Sequence, residues 1–364
     1  MVGILTFHKA INYGAVLQAY ALRSAIESFG HNCSVINYAN PKMLKESKAF
    51  YLPKHQSIVD RALYLYRIPM RARQVKKFNS FLNNHLALSK KILTNSDDLK
   101  SISENYDAFV TGSDQVFNYK GTGEDFNFYL EFENDNSKKI AYAPSFGLSN
   151  IDDYHKDRVA RCLSSFKALS VREDIGASLT EELTGICPPK VCDPTFLVDK
   201  EQWETLSIAP RIKKPYVLVY SFGSCHLEPI ARKLASEVGG IVVNINRGLP
   251  TIIDGKNVRN AYAPGPQEFL GLIDSAEIVV TNSFHGMAFS ILLEKEFYGF
   301  ANSYSGAAAT NHRFTTLGEN FGLSDHIFDQ PRTIERKEID YKKVQDAVIK
   351  LRSESLEYLK NAFR

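Results

Sequence analysis

The segment Thr281-Asn282-Ser283-Phe284-His285-Gly286 closes a run of β-branched residues and precedes an expected helix. Free backbone N–H groups at such a helix start, together with the helix dipole, attract a phosphate or a carboxylate. The Ser283 hydroxyl can donate a hydrogen bond, and the His285 imidazole can pass a proton near neutral pH. The plain alternative is that Ser283 caps the helix and His285 is a buried core residue. A second segment, Gly112-Ser113-Asp114-Gln115 with Asn118 beyond it, also follows an expected strand. Its carboxylate suits a base acting on a sugar hydroxyl, or an N-cap with no chemistry. Asn12-Tyr13-Gly14 opens the first helix, either as a substrate-contacting loop or as a cap and turn. It lacks G-x-G-x-x-G, so the dinucleotide fingerprint is absent. Arg172 and Arg247 follow expected strands, and Arg313 opens an expected helix. A guanidinium in such a place matches phosphate and carboxylate geometry; a single Arg is more often a surface residue or salt-bridge partner, but three at such positions make a stronger case than each alone.

These residues need elements to hold them. Val2–Phe7 reads as a buried strand, and Cys33–Tyr38 as another. Between them Ala15, Ala19, Leu22, Ile26 and Phe29 recur at helical spacing and Gly30 ends the helix. This βαβ opening favours a parallel sheet. Strands are expected again at Ala108–Thr111, Lys139–Ala143 and Ala168–Val171. After the irregular passage around Pro188–Pro194 the alternation restarts. Strands are expected at Tyr216–Ser221, Ile241–Ile245, Ile278–Thr281 and Phe297–Phe300, and helices at Glu228–Val238, Pro266–Ser275 and Gly286–Leu293. Asn302–Asn311 reads as a mobile loop and Asp340–Asn361 as a last helix. The fold class is α/β and GT-B-like, with two Rossmann-type domains facing across a cleft. Residues 1–205 form the acceptor side, with a basic helical insertion at 41–104. Residues 206–335 form the donor side, and 336–364 a helix packing back on the first domain. Ligands in such sheets sit beyond the carboxyl ends of the strands.

The 364 residues are 44% hydrophobic and 23% charged, which suits a folded two-domain protein and excludes a disordered chain. Net charge is +3, yet residues 41–100 hold 13 Lys/Arg against 4 Asp/Glu. A local basic patch of this kind implies a local anionic partner and argues against nucleic-acid binding. The stretch Ile58–Leu82 reads as a helix kinked or broken at Pro69. Within it Arg61, Arg67, Arg71, Arg73, Lys76 and Lys77 interleave with apolar residues. They suit an anionic membrane surface or a lipid diphosphate, or else a solvated helix face. The five cysteines are irregularly spaced and read as buried free thiols of a cytoplasmic protein, without a zinc set. No apolar stretch approaches the roughly 20 residues that span a bilayer, so membrane contact is expected to be peripheral, at the inner face.

Taken in order, Asn12-Tyr13-Gly14-Ala15 with Leu17–Leu22, Gly112-Ser113-Asp114-Gln115, Ser170-Val171-Arg172-Glu173, Asp193-Pro194-Thr195, Gly265–Phe269 and Ser283-Phe284-His285-Gly286 resemble the polysaccharide pyruvyl transferase family. The resemblance runs over about residues 1–325 and covers nothing in 41–104. It implies transfer of pyruvate from phosphoenolpyruvate, as co-substrate and without cofactor or metal, to a hexose as a ketal, commonly across O4 and O6. Galactose in a lipid-diphosphate-linked precursor of capsule or exopolysaccharide is the expected acceptor. On that expectation Ser283, Phe284 and Gly286 with Arg313 take the phosphate, and Arg172 or Arg247 takes the carboxylate. His285 serves as acid and Asp114 as base. Asn12, Tyr13, Gly14, Ser113, Gln115 and Asn118 meet the sugar. Two rivals stand beside this reading: a GT-B glycosyltransferase using a nucleotide sugar, and a non-catalytic partner in polymer assembly.

Overall fold

A computed structural model describes residues 1–46, 58–222, 227–245, 257–302 and 307–364. Strands β1 (Val2–Leu5), β2 (Cys33–Val35), β3 (Ala108–Thr111), β4 (Lys139–Ala141) and β5 (Ala168–Leu169) pair in parallel in the order β2-β1-β3-β4-β5. Strands β6 (Tyr216–Tyr220), β7 (Ile241–Ile245), β8 (Val258–Ala261), β9 (Ile278–Thr281), β10 (Glu296–Phe300) and β11 (Ile327–Phe328) form a second parallel sheet, ordered β11-β10-β9-β6-β7-β8. Helices cover both faces of such sheets, so the central strands read as unbroken apolar runs: Tyr-Val-Leu-Val-Tyr in β6 and Ile-Val-Val-Thr in β9, buried throughout.

Each sheet reverses its strand order once. In the first sheet the reversal lies between β1 and β3, and in the second between β6 and β9. A crevice opens at the carboxyl ends of the strands at such a point. The loops leading out of β1 and β3 carry Thr6–Gly14 and Gly112–Gln115. The loop leading out of β9 carries Asn282–Gly286. Topology alone therefore brings three of the motif segments to the two crevices.

The helix Tyr13–Ser28 is capped by Asn12, whose side-chain oxygen accepts from the Gly14 N–H at 3.1 Å. It is buried beyond the expected stripe: Val16, Leu17, Ala21 and Ala25 are covered as well. The sheet takes one side, while the helices Pro266–Asp274 and Tyr341–Ala362 pack on others. The helix Ile58–His85 carries Pro69 within a single span, so of the expected kink or break the break does not occur. Two helices, Asp153–Ser164 and Asp174–Thr184, and the strands β8 and β11 stand where no element was expected. The helix Ala307–Phe321 replaces the second half of the expected loop, and Arg313 lies inside it rather than at its start. Cys33, Cys162 and Cys192 are buried free thiols, whereas Cys187 is exposed; Cys225 lies outside the described residues.

The two halves grip each other through Tyr13. Its ring stacks on Phe269 at 4.3 Å and 2°, and its hydroxyl donates to the Pro264 carbonyl at 3.0 Å. Gln74 donates to the same hydroxyl at 2.9 Å, and Lys77 pairs with Glu268 at 2.6 Å.

The fold also buries a histidine at the end of β1. His8 is fully covered, and its Nδ1 lies 3.1 Å from the Thr6 carbonyl. Burial, reinforced by the Lys9 charge, lowers its pKa from 6.5 to about 4 despite the bonds to Thr6 and Asn37. The folded state thus resists protonation that the unfolded chain accepts. Stability contributed by neutral His8 is complete above pH 6.5 and is lost as pH falls toward 4. The gap is worth about 3 kcal/mol. Urea unfolding at pH 7.5 and pH 4 should show His8→Gln losing less stability on acidification than the parent chain by about that amount. Parallel acid sensitivity in both would remove His8 as the cause.

Candidate active site

The active-site candidate grows from a missing side chain. Gly14 stands in the first turn of the helix Tyr13–Ser28, and a Cβ placed on it would lie 1.9 Å from His285 Nδ1. The imidazole occupies the space that any other residue at position 14 would fill. His285 in turn belongs to the first turn of the helix Phe284–Leu292 in the other half. Two helix starts from opposite sheets therefore meet at one ring. The turn that holds His285 is itself tied down. Ser283 Oγ accepts from the Gly286 N–H at 3.3 Å, and Thr281 Oγ1 accepts from the Ser283 N–H at 3.0 Å while donating to the Tyr220 carbonyl at 2.6 Å. Asn282 bridges the loops after β6 and β10 through Phe222 and Asn302. Gly286 is required here because a Cβ would lie 2.5 Å from Thr281 Oγ1.

Behind the imidazole lies a buried charge cluster. Asp193 is 2% exposed. Its Oδ2 accepts from Arg172 Nη1 at 2.5 Å and from the Ser113 hydroxyl at 2.9 Å, and lies 3.7 Å from His285 Nε2. Its Oδ1 accepts from the Thr195 N–H at 3.0 Å and the Thr195 hydroxyl at 2.8 Å. Burial opposes ionisation of this carboxyl, but His285 and Arg172 beside it outweigh that and hold it well below the usual carboxylate range. Arg172 also faces Glu173 at 3.4 Å, and these carboxylates, with Asp114, raise its own pKa against the effect of burial. Glu173 precedes a third helix, Asp174–Thr184. The Phe284 ring carries the guanidinium of Arg172 at 4.6 Å and that of Arg313 at 5.7 Å, within cation–π range. Arg172, Glu173, Asp193, Phe284 and Arg313 line a cavity of about 20 Å³, enough for one water. That cavity runs back from the charge cluster between Phe196, Leu317 and Phe321.

The remaining expected residues divide. Asp114 is half-buried and holds left-handed backbone, φ +72°, at the end of β3; its Oδ1 accepts from the Gln115 N–H at 2.9 Å. Gln115 packs against Gly147, and Asn118 caps the short helix Tyr119–Thr122. Ser113 is fully buried and gives its hydroxyl to Asp193 instead of facing the cleft. Tyr13 is likewise 1% exposed and spent on the contact between the halves. Arg172 is an ion-paired core residue rather than a loop cation. Arg247 lies outside the described residues, as do the side chains of Arg61 and Arg67. Sequence reasoning did not single out Asp193, Glu173 or Thr195 as site residues. Asp193-Pro194-Thr195 signals a cap, and the side chain does cap the turn Pro194–Leu197, but nothing local reveals Arg172 and His285 on its other oxygen.

A family model for polysaccharide pyruvyl transferases matches residues 12–304, from the Asn12 cap through the Ser283–Gly286 turn and beyond. The chain belongs to the polysaccharide pyruvyl transferase family. No curated protein matches it closely enough to count as a relative. Among solved structures, a Listeria monocytogenes protein assigned as a UDP-N-acetylglucosamine 2-epimerase aligns with TM-score 0.51 at 10% identity, covering 99% of this chain and 90% of that one. A Methanocaldococcus jannaschii UDP-GlcNAc 2-epimerase in complex with UDP-GlcNAc and UDP gives TM-score 0.47 at 12% identity, with 96% and 91% covered. Escherichia coli ADP-heptose heptosyltransferase II gives TM-score 0.38 at 11%, with 97% and 98% covered. Likeness at such identity concerns the fold, which is GT-B-like: two parallel Rossmann-type sheets with facing carboxyl edges.

The contact at position 14 has a direct consequence. Gly14→Ala should leave both sheets intact but push the halves apart or displace His285. Destabilisation of about 1–3 kcal/mol in urea and a larger radius of gyration by X-ray scattering are expected. An unchanged scattering profile with unchanged stability would mean that the ring swings aside freely.

Proposed function

We propose that this pyruvyl transferase takes pyruvate from phosphoenolpyruvate and builds a 4,6-ketal on a hexose, with galactose in a lipid-diphosphate-linked precursor as the favoured acceptor. One observation carries the reading: helix starts from both halves, with Arg172 and Arg313, converge on His285 and Phe284. Such a constellation suits a small ligand bearing two anionic groups, and phosphoenolpyruvate bears a phosphate and a carboxylate. The backbone N–H groups of Phe284 and His285, with Arg313, suit the phosphate. Arg172 has one terminal nitrogen, Nη2, without a hydrogen-bond partner among the described residues, so it suits a single bond to the carboxylate.

The chemistry balances without redox change. The methylene carbon gains a proton and becomes a methyl group. Two sugar oxygens bond to the former enol carbon, and its bond to the phosphate oxygen breaks. Of the two hydroxyl protons, one ends on the methyl group and one on the departing phosphate. His285 is the proposed acid: its Nε2 is turned toward Asp193 at 3.7 Å, which leaves Nδ1, on the side of Gly14, as the nitrogen for a substrate proton. Asp114 is the proposed base, because among the described residues only one of its carboxylate oxygens is engaged, by Gln115. A general acid is worth about 10²–10⁴-fold in rate. His285→Ala should therefore reduce turnover at least about 100-fold in a folded protein. The assay follows acceptor mass gain and phosphate release together, with phosphoenolpyruvate and a set of galactosides. Turnover near that of the parent chain would remove His285 from the chemistry. Nucleotide release from a nucleotide sugar would move the assignment to glycosyl transfer.

A lipid-linked acceptor would find cations on the helix Ile58–His85. Arg73 and Lys76 are exposed there, while Lys77 is paired with Glu268. No helix among the described residues is long and apolar enough to cross a membrane. Arg73→Gln with Lys76→Gln should weaken binding to anionic vesicles at low salt, and the difference should vanish as salt rises. Equal binding by both proteins would leave these residues as a solvated face.

A further inference from the structure

Three atoms of the site stand out together. Arg172 Nη2, His285 Nε2 and Glu173 Oε1 are buried and have no hydrogen-bond partner among the described residues. Arg172 and His285 both face one carboxylate, that of Asp193. Four hydrogen bonds fix Asp193, from Arg172, Ser113 and both donors of Thr195, so it cannot turn away. Its backbone neighbourhood is locked from behind as well. The Cys192 N–H donates to the Ser355 hydroxyl at 3.0 Å, and Arg352 donates to the carbonyls of Phe196 at 2.6 Å and Val198 at 3.1 Å.

A fixed buried carboxylate beside a histidine and an arginine orients both, as outer-sphere carboxylates do at metal sites. It also carries a negative charge next to the place where an anionic donor must arrive, and at short range in a shielded site that repulsion is substantial. We infer that Asp193 is a positioning residue that aims His285 and Arg172 at the donor while weakening the donor's ground-state affinity. The inference rests on the pyruvyl-transfer reading. Asp193 touches no reacting atom; it acts through the two side chains that do. The bond lengths give it one oxygen for the site and one for the turn. Among the described residues Oδ2 serves Arg172, Ser113 and His285, and Oδ1 serves Thr195.

The signature is a split between binding and turnover. In Asp193→Asn the charge goes and the shape stays, so phosphoenolpyruvate, measured by calorimetry, should bind as tightly as to the parent chain or more tightly. Turnover on the galactoside acceptor should fall about 10–100-fold. A purely structural role would weaken both together. In a His285→Gln background, the same Asp193→Asn change should cost less than about 3-fold more, because residues that act as a unit are not additive. Should Asp193→Asn fail to fold, Asp193→Glu is the second variant. It keeps the charge and moves it by one methylene, and it should lose turnover while holding donor affinity within about 3-fold. Parallel loss of affinity and turnover, turnover within about 3-fold of the parent, or a full additive loss in the His285→Gln background overturns the inference but leaves pyruvyl transfer standing. A parent chain that neither binds phosphoenolpyruvate nor modifies any galactoside overturns both.

Discussion

The approach of the His285 ring to Gly14 is the constraint on which the rest depends. Two parallel sheets can face each other in many ways, but only a residue without a side chain lets the start of one helix meet the start of the other across an imidazole. The contact fixes the distance between the crevices. It also fixes which loops share the cleft, because the reversal of strand order in each sheet brings the turns after β1 and β3 to one wall and the turn after β9 to the other. The tight turn at Gly286, the cap from Ser283 and the Asn282 bridge then keep the ring in place.

Around that contact the charges are arranged to be nearly self-cancelling. Arg172 and Arg313 bring two positive charges, Asp193 and Glu173 two negative ones. Buried ions survive only when paired and hydrogen-bonded, and Asp193 satisfies both oxygens. What remains for a ligand is the field of the helix starts and the few donors left over, rather than a free pair of arginines. A site of this kind holds its anion by orientation more than by raw charge, which suits differential stabilisation of a transition state.

Much of the frame was legible in the sequence, because parallel strands buried on both faces write themselves as apolar runs. Ala108–Thr111, Ile241–Ile245 and Ile278–Thr281 have the expected limits. The strand Val258–Ala261 was not legible, since an exposed Arg259 and the polar Asn260 interrupt any run at the sheet edge. The helix Asp153–Ser164 was missed because its apolar positions are sparse: only His155, Val159, Cys162 and Leu163 are buried. At the site the motifs showed which segments matter but not which way their side chains face. Tyr13 and Ser113 belong to polar turns by sequence, yet one fills an aromatic stack and the other a buried ion cluster. Asp193 lies 80 residues from Ser113, so only the folded chain joins them.

The stack of Tyr13 on Phe269 ties the two halves together beside the site. Any parting of the halves at this stack would wet two large aromatic faces, and shutting them would dry those faces again. The solvent therefore does much of the closing. Closure of this kind is driven by entropy near room temperature and carries a negative change in heat capacity. Its grip weakens on cooling, so the tie is looser in the cold than in the warm.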